Sequence, residues 1–233
     1  WRDCRSYLCA SDLPKLVPLA AALDPLLMKG MPRPITAATG MDALTHAIEA
    51  YINRWPHADT EQHCLAAVRM IFGNLQRAYD DGNDMAAREA MALASFYAGL
   101  AFTKAYVGYV HAFSHKLGGM YGVPHGLANA ITLPYVLDFI KDAPLARERL
   151  AKLAVVIGAG KAGEPPDVLA QRFIDRVREL NRGVGIPEKV AALKPADVPV
   201  VARAAMVEAA RDYPVPKNMS LREAETLLGR LLA

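Results

Sequence analysis

Apolar residues recur three and four positions apart, almost without interruption, from residue 40 to the end of the chain. This periodicity leaves little room for anything but helices. Between Asp42 and Arg54 it sets Leu44, Ala47, Ile48 and Tyr51 on one side. Asp59 or Thr60 is placed to cap a second helix reaching Tyr79, with Leu65, Val68, Ile71, Phe72 and Leu75 inside. The tract Asp80 to Asp84 predicts a turn, and an Ala-rich helix follows from Met85 to Tyr106. Further helical patterns run near 109–120, 126–141, 145–157, 166–182, 196–212 and 220–232, separated by Gly- and Pro-containing breaks. Residues 14–24 hold the one strand candidate. Pro18 demotes it to an edge strand or none, and a helical turn starting at Pro18 is the alternative. The expected architecture is all-α: one bundle-like helical domain over residues 36–233, after a short extended connector over residues 1–35.

The 233 residues suffice to bury a sizeable core. A formal net charge of +3, with basic and acidic residues interleaved, argues against nucleic acid and anionic membrane as partners. Apolar runs are broken within a turn or two, so no transmembrane segment is expected, and no secretory signal is visible. Three cysteines, Cys4, Cys9 and Cys64, are too few and too odd for a disulfide framework and fit a reducing cytoplasm. The chain opens on Trp1, and its first nine residues resemble neither a start nor a leader. It is expected to begin inside a longer protein.

The residues able to do chemistry are concentrated in two segments. Asp42 and His46 stand four apart and project from one helical face. His111 and His115 repeat that spacing, and His125 follows Pro124 at a turn or helix start. A carboxylate and three imidazoles from separate rigid elements suit a divalent first-row metal and leave room for a water or substrate oxygen. Spacing alone leaves open whether these residues share a metal or merely decorate separate helices. A metal-dependent phosphohydrolase is disfavoured, because such sites usually begin with an adjacent His-Asp pair and none occurs here. Glu49, two turns after Asp42, is expected to be an exposed helix residue rather than a support for the metal. His57 and His63 are expected on the solvated surface. Gly118-Gly119 allows close backbone approach to a ligand or to another helix. Phe102, Tyr109 and Phe113 are expected to serve as core more readily than as pocket walls.

The stretch from Thr36 to Tyr51, Thr-Ala-Ala-Thr-Gly-Met-Asp-Ala-Leu-Thr-His-Ala-Ile-Glu-Ala-Tyr, resembles a signature of the iron-containing alcohol dehydrogenases. The run Gly108 to Gly119, continuing through Tyr121 to Ala130, resembles the second signature, and Tyr213 to Lys217 also has counterparts in the family. The resemblance implies the helical, dehydroquinate synthase-like C-terminal domain of that family. It implies that Asp42, His46, His111 and His125 bind iron(II), or zinc as in some members. It places His115 near a nicotinamide, in substrate binding or proton relay, and offers Leu27, Gly30 and Met31 as cofactor contacts. The implied reaction is reversible hydride transfer between NAD or NADP and a primary alcohol or aldehyde, in a protein that commonly forms homo-oligomers. Family members carry an α/β domain ahead of this region, with a Gly-rich loop for the cofactor pyrophosphate. No such loop occurs in these residues. Two other readings follow: a helical metal-binding or self-associating module without turnover, and a zinc polyol dehydrogenase or dehydroquinate-synthase-like lyase of the same superfamily.

Overall fold

The computed structural model describes residues 19–55 and 58–233. Among them the structure is all-α, with one isolated parallel bridge, Val190 to Leu232. Cys4, Cys9, His57 and residues 14–18 lie outside the described residues. Residues 19–24 form no strand. A short 3-10 helix, Pro25–Met28, capped by the Asp24 carboxylate on the Leu26 amide, follows them.

Helix α1 (Arg33–Ile52) starts well before Asp42, because Pro32 and Pro34 sit at its N-terminus, where a missing N–H costs nothing. Most of α1 is buried. Its alanines, with the alanine face of α3 (Met85–Ala105), let α1, α2 (Ala58–Asp80) and α3 pack closely. Asp59 and Thr60 fall inside the first turn of α2 rather than at its cap. The remaining helices are α4 (Tyr109–Tyr121), α5 (His125–Ile140), α6 (Pro144–Val156), α7 (Pro166–Gly183), α8 (Val198–Asp212) and α9 (Leu221–Leu231). Helix α9 opens with a reciprocal Ser220–Glu223 capping box. Pro134 inside α5 leaves the Ala130 carbonyl without its helical donor. The buried Asn181 side chain on α7 donates to that oxygen at 2.7 Å, so the helix continues through the proline.

The joint between α3 and α4 decides where the site forms. The two helices meet at a bend of 104°. Tyr106 stands there with φ 61°, a backbone region that suits glycine. Glu49 in the last turn of α1 and Asn53, which caps that helix's C-terminus, hold the bend in place. The Asn53 amide donates to the carbonyls of Ala105 (2.9 Å) and Val107 (3.1 Å), and the Glu49 carboxylate accepts from the amides of Gly108 (2.9 Å) and Val110 (2.8 Å). Unpaired N–H groups at a helix start favour an anion, and Glu49 supplies one to α4. No single helix among the described residues is long and apolar enough to cross a membrane.

Candidate metal centre

Helices α1, α4 and α5 converge at one point. Asp42 and His46 come from α1, His111 from the first turn of α4, and His125 from the first residue of α5. One ligand atom from each of the four lies within 4.8 Å of all the others. His46 Nε2 and His111 Nε2 are 2.9 Å apart, and His125 Nε2 is 3.5 Å from Asp42 Oδ1. The close approach of α5 to α1 depends on Gly126, which faces the Ala38 carbonyl with no room for a β-carbon.

Glu49 is buried, contrary to its expected exposure. The N-terminal turn of α4 covers it, and two amides and an imidazole satisfy it. His111 Nδ1 stands 2.6 Å from Glu49 Oε2. With Glu49 ionised, the form its two amide donors favour, the carboxylate can only accept, so Nδ1 carries the proton and the Nε2 lone pair turns to the cluster. Burial pushes the Glu49 carboxyl up to about 7, opposed by the Val110 and Gly108 amides. Burial, then repulsion from His111, pushes His46 down to about 4. Burial pushes His111 down to about 3 and lowers His125 as well. All three imidazoles are thus held in the neutral form that binds metal.

Asn129, one turn after His125 on α5, completes the arrangement. Its Nδ2 lies 2.6 Å from Asp42 Oδ1 and 3.1 Å from both His111 Nε2 and His125 Nε2. An NH2 group has two protons for these three acceptors, and Asn129 Oδ1 is buried without a partner. This convergence of lone pairs on one electron-poor nitrogen is the donor set a divalent cation takes, so the residues fit a metal. Spacing could have indicated Asn129, since it repeats the four-residue interval of Asp42–His46.

His115 lies on the rim of the cluster, its ring stacked on His125 at 5.3 Å between centroids. Phe102 stacks on His46 at 4.3 Å, forming a wall of the site. Phe113 and Tyr109 are core residues, as expected. The structure does not bring Leu27, Gly30 and Met31 into the metal cluster. Leu27 and Gly30 are exposed and Met31 half-buried, on the segment before α1. His63 is half-buried against Tyr97, away from the cluster.

The model for the Fe-containing alcohol dehydrogenase family, C-terminal, matches residues 36–232. The chain belongs to that family. It is similar to the 1,3-propanediol dehydrogenase of Citrobacter freundii, with 43% identity over 192 residues, 82% of this chain and 49% of that protein. It is similar to the NAD-dependent methanol dehydrogenase of Bacillus methanolicus, with 38% identity over 191 residues, covering 81% and 50%. Among solved structures, a 1,3-propanediol oxidoreductase superposes with a TM-score of 0.85 at 38% identity, over 89% of this chain and 54% of that one. The chain spans about half the length of the curated relatives it matches.

Proposed function

We propose that this chain is the metal-binding catalytic half of an NAD(P)-dependent alcohol dehydrogenase acting on a primary alcohol or aldehyde in the cytoplasm. The observation that carries the reading is the convergence of Asp42, His46, His111 and His125 within 4.8 Å, in a chain of this family. These four would hold iron(II), with zinc as the alternative. When bound, the metal supplies Lewis acidity that polarises a substrate oxygen.

The chain's own residues do the rest. Helix α1 presents Asp42 and His46 on one face, and Glu49 orients His111. Phe102 covers one face of His46 and keeps water from it. His115, on the rim, would hold or pass the hydroxyl proton of the substrate, and a bound nicotinamide cofactor would supply the hydride chemistry. Residues 36–233 form the metal-binding domain in this reading. Residues 1–35, with Leu27, Gly30 and Met31, lead from a preceding α/β domain that holds the cofactor phosphates. The similarity to a methanol dehydrogenase named as NAD-dependent supports NAD as the first cofactor to try.

Metal analysis after anaerobic iron loading tests the centre. About one metal per chain is expected, and His111→Ala should lose it. Equal metal content in the two proteins would sink the four-ligand site. NADH oxidation with short aldehydes, in this chain and in one extended at its N-terminus, then tests the turnover reading. The longer protein should turn over, and inactivity of the iron-loaded longer protein would count against it.

A further inference from the structure

Glu208 lies on α8, 93 residues along the chain from His115, yet its carboxylate meets the rim of the metal cluster. Its Oε1 is 2.7 Å from His115 Nδ1 and 2.5 Å from the Tyr213 hydroxyl, and its Oε2 is 2.5 Å from Lys116 Nζ. The group is well buried, with 14% of the side chain exposed, and burial alone would raise its pKa. The bonds from His115, Lys116 and Tyr213 outweigh burial and hold the carboxyl at about 2.

The proton inventory follows from this contact. Tyr213 and Lys116 have only protons to offer a carboxylate, and a carboxylate has only lone pairs to offer His115. His115 Nδ1 must therefore carry a proton. In the neutral ring this leaves Nε2 with the lone pair, since the bond made by one nitrogen decides the state of the other. Nε2 has no hydrogen-bond partner among the described residues. The ring is fixed on its second side by stacking on His125, at 5.3 Å and 19° between planes.

We propose that Glu208 is the positioning residue of His115, holding the ring as its Nδ1–H tautomer so that Nε2 accepts a hydrogen bond from a hydroxyl-bearing ligand beside the metal cluster. This rests on the proposed role of His115 at that site. An ion pair between Glu208 and Lys116 would suffice to tie α8 to α4, but such a tie by itself does not select a tautomer. Tautomer state is therefore the readout that separates positioning from simple support.

Long-range proton–nitrogen NMR on the full chain, labelled at histidine nitrogens and examined both metal-free and loaded with diamagnetic zinc, reads that state directly. The expected result is Nδ1–H at His115 in the unmodified chain. Glu208→Gln keeps a carbonyl oxygen for Nδ1–H and should retain the tautomer, as should Tyr213→Phe, which removes only a neighbouring donor. Glu208→Ala should convert His115 to Nε2–H, the form an unconstrained histidine favours. An Nε2–H tautomer in the unmodified chain overturns the proposal, as does a folded Glu208→Ala chain that keeps Nδ1–H. Should Glu208→Ala not fold, the unmodified chain and Glu208→Gln still decide the question. Failure to take up zinc with Nδ1–H retained would sink the metal reading while supporting the role of Glu208.

Discussion

A single methyl group at Gly126 should separate the packing of this domain from its proposed metal binding. A β-carbon there would lie 2.3 Å from the Ala38 carbonyl oxygen, 2.8 Å from its carbon and 3.2 Å from Asp42 Cβ. Ordinary contact requires about 3.5 Å. The obstacle is backbone, so relief requires α5 and α1 to part by roughly 1 Å. His125 rides on α5, with Asp42 and His46 on α1, so the ligand set opens by a similar amount. Metal sites hold distances to about 0.2 Å, and displacements of about 1 Å cost on the order of 100-fold elsewhere in site chemistry. Gly126→Ala should therefore weaken zinc binding by about 100-fold while costing about 1–3 kcal/mol of stability. Competition with a chromophoric chelator measures the first and urea unfolding the second. Gly40→Ala is the control. Its new β-carbon meets the Leu75 Cδ1 tip at 2.4 Å, an obstacle that can rotate away. Its stability cost should be similar and its zinc affinity unchanged within about threefold. A folded Gly126→Ala chain with unaltered zinc affinity would refute the argument, as would equal losses in both variants.

Three further outcomes are expected. Glu49→Ala strips an acceptor from two amides and from His111 Nδ1, and should cost about 3 kcal/mol of stability and about 10- to 100-fold in zinc affinity, by thermal melts and chelator competition. Unchanged affinity would remove Glu49 from the site. The Glu208 carboxyl is lower in the folded chain, about 2, than its ordinary 4.5, so its contribution is full above 4.5 and is lost as pH falls towards 2. The stability gap between the unmodified chain and Glu208→Gln, up to about 3 kcal/mol, should shrink over that window in acid unfolding curves; a pH-independent gap would contradict this. The buried Arg88 donates to Thr36 Oγ1 and to the carbonyls of Gly82 and Met31, so Arg88→Met should cost about 2–3 kcal/mol in urea unfolding with zinc affinity intact.

Local signals made the helices and the four clustered residues legible. Helical periodicity located the later helices to within a few residues, and the Asp42–His46 interval placed two candidate ligands on one face before any motif was considered. The start of α1 was less legible, because Pro32 and Pro34 read as an extended connector until the chain after them is seen to pack. Glu49 shows the deeper limit. A carboxylate on a helix is ordinarily solvated, and only the arrival of α4, some sixty residues later, gives it three donors. Glu208 is still more remote, and no spacing rule joins α8 to His115. What escaped the sequence is the set of groups that orient the ligands, since each depends on a tertiary crossing rather than on a turn of helix.

Those orienting groups imply a strain in proton bookkeeping that a cation would relieve. With His111 Nδ1 protonated towards Glu49, its Nε2 faces His46 Nε2 at 2.9 Å, so without an electron acceptor His46 must turn a proton inward. The two amide protons of Asn129 must also serve three acceptors. Any ion binding only the folded cluster adds stability by mass action, about 4 kcal/mol at a thousandfold excess over its dissociation constant. This sorts the variants by a criterion independent of their intrinsic stability. Zinc should raise the melting temperature of Gly40→Ala and Arg88→Met as much as that of the unmodified chain, because their lesions lie outside the cluster. It should raise that of Gly126→Ala and Glu49→Ala far less. A uniform zinc increment across all four would mean that the ion binds somewhere other than the convergence of α1, α4 and α5.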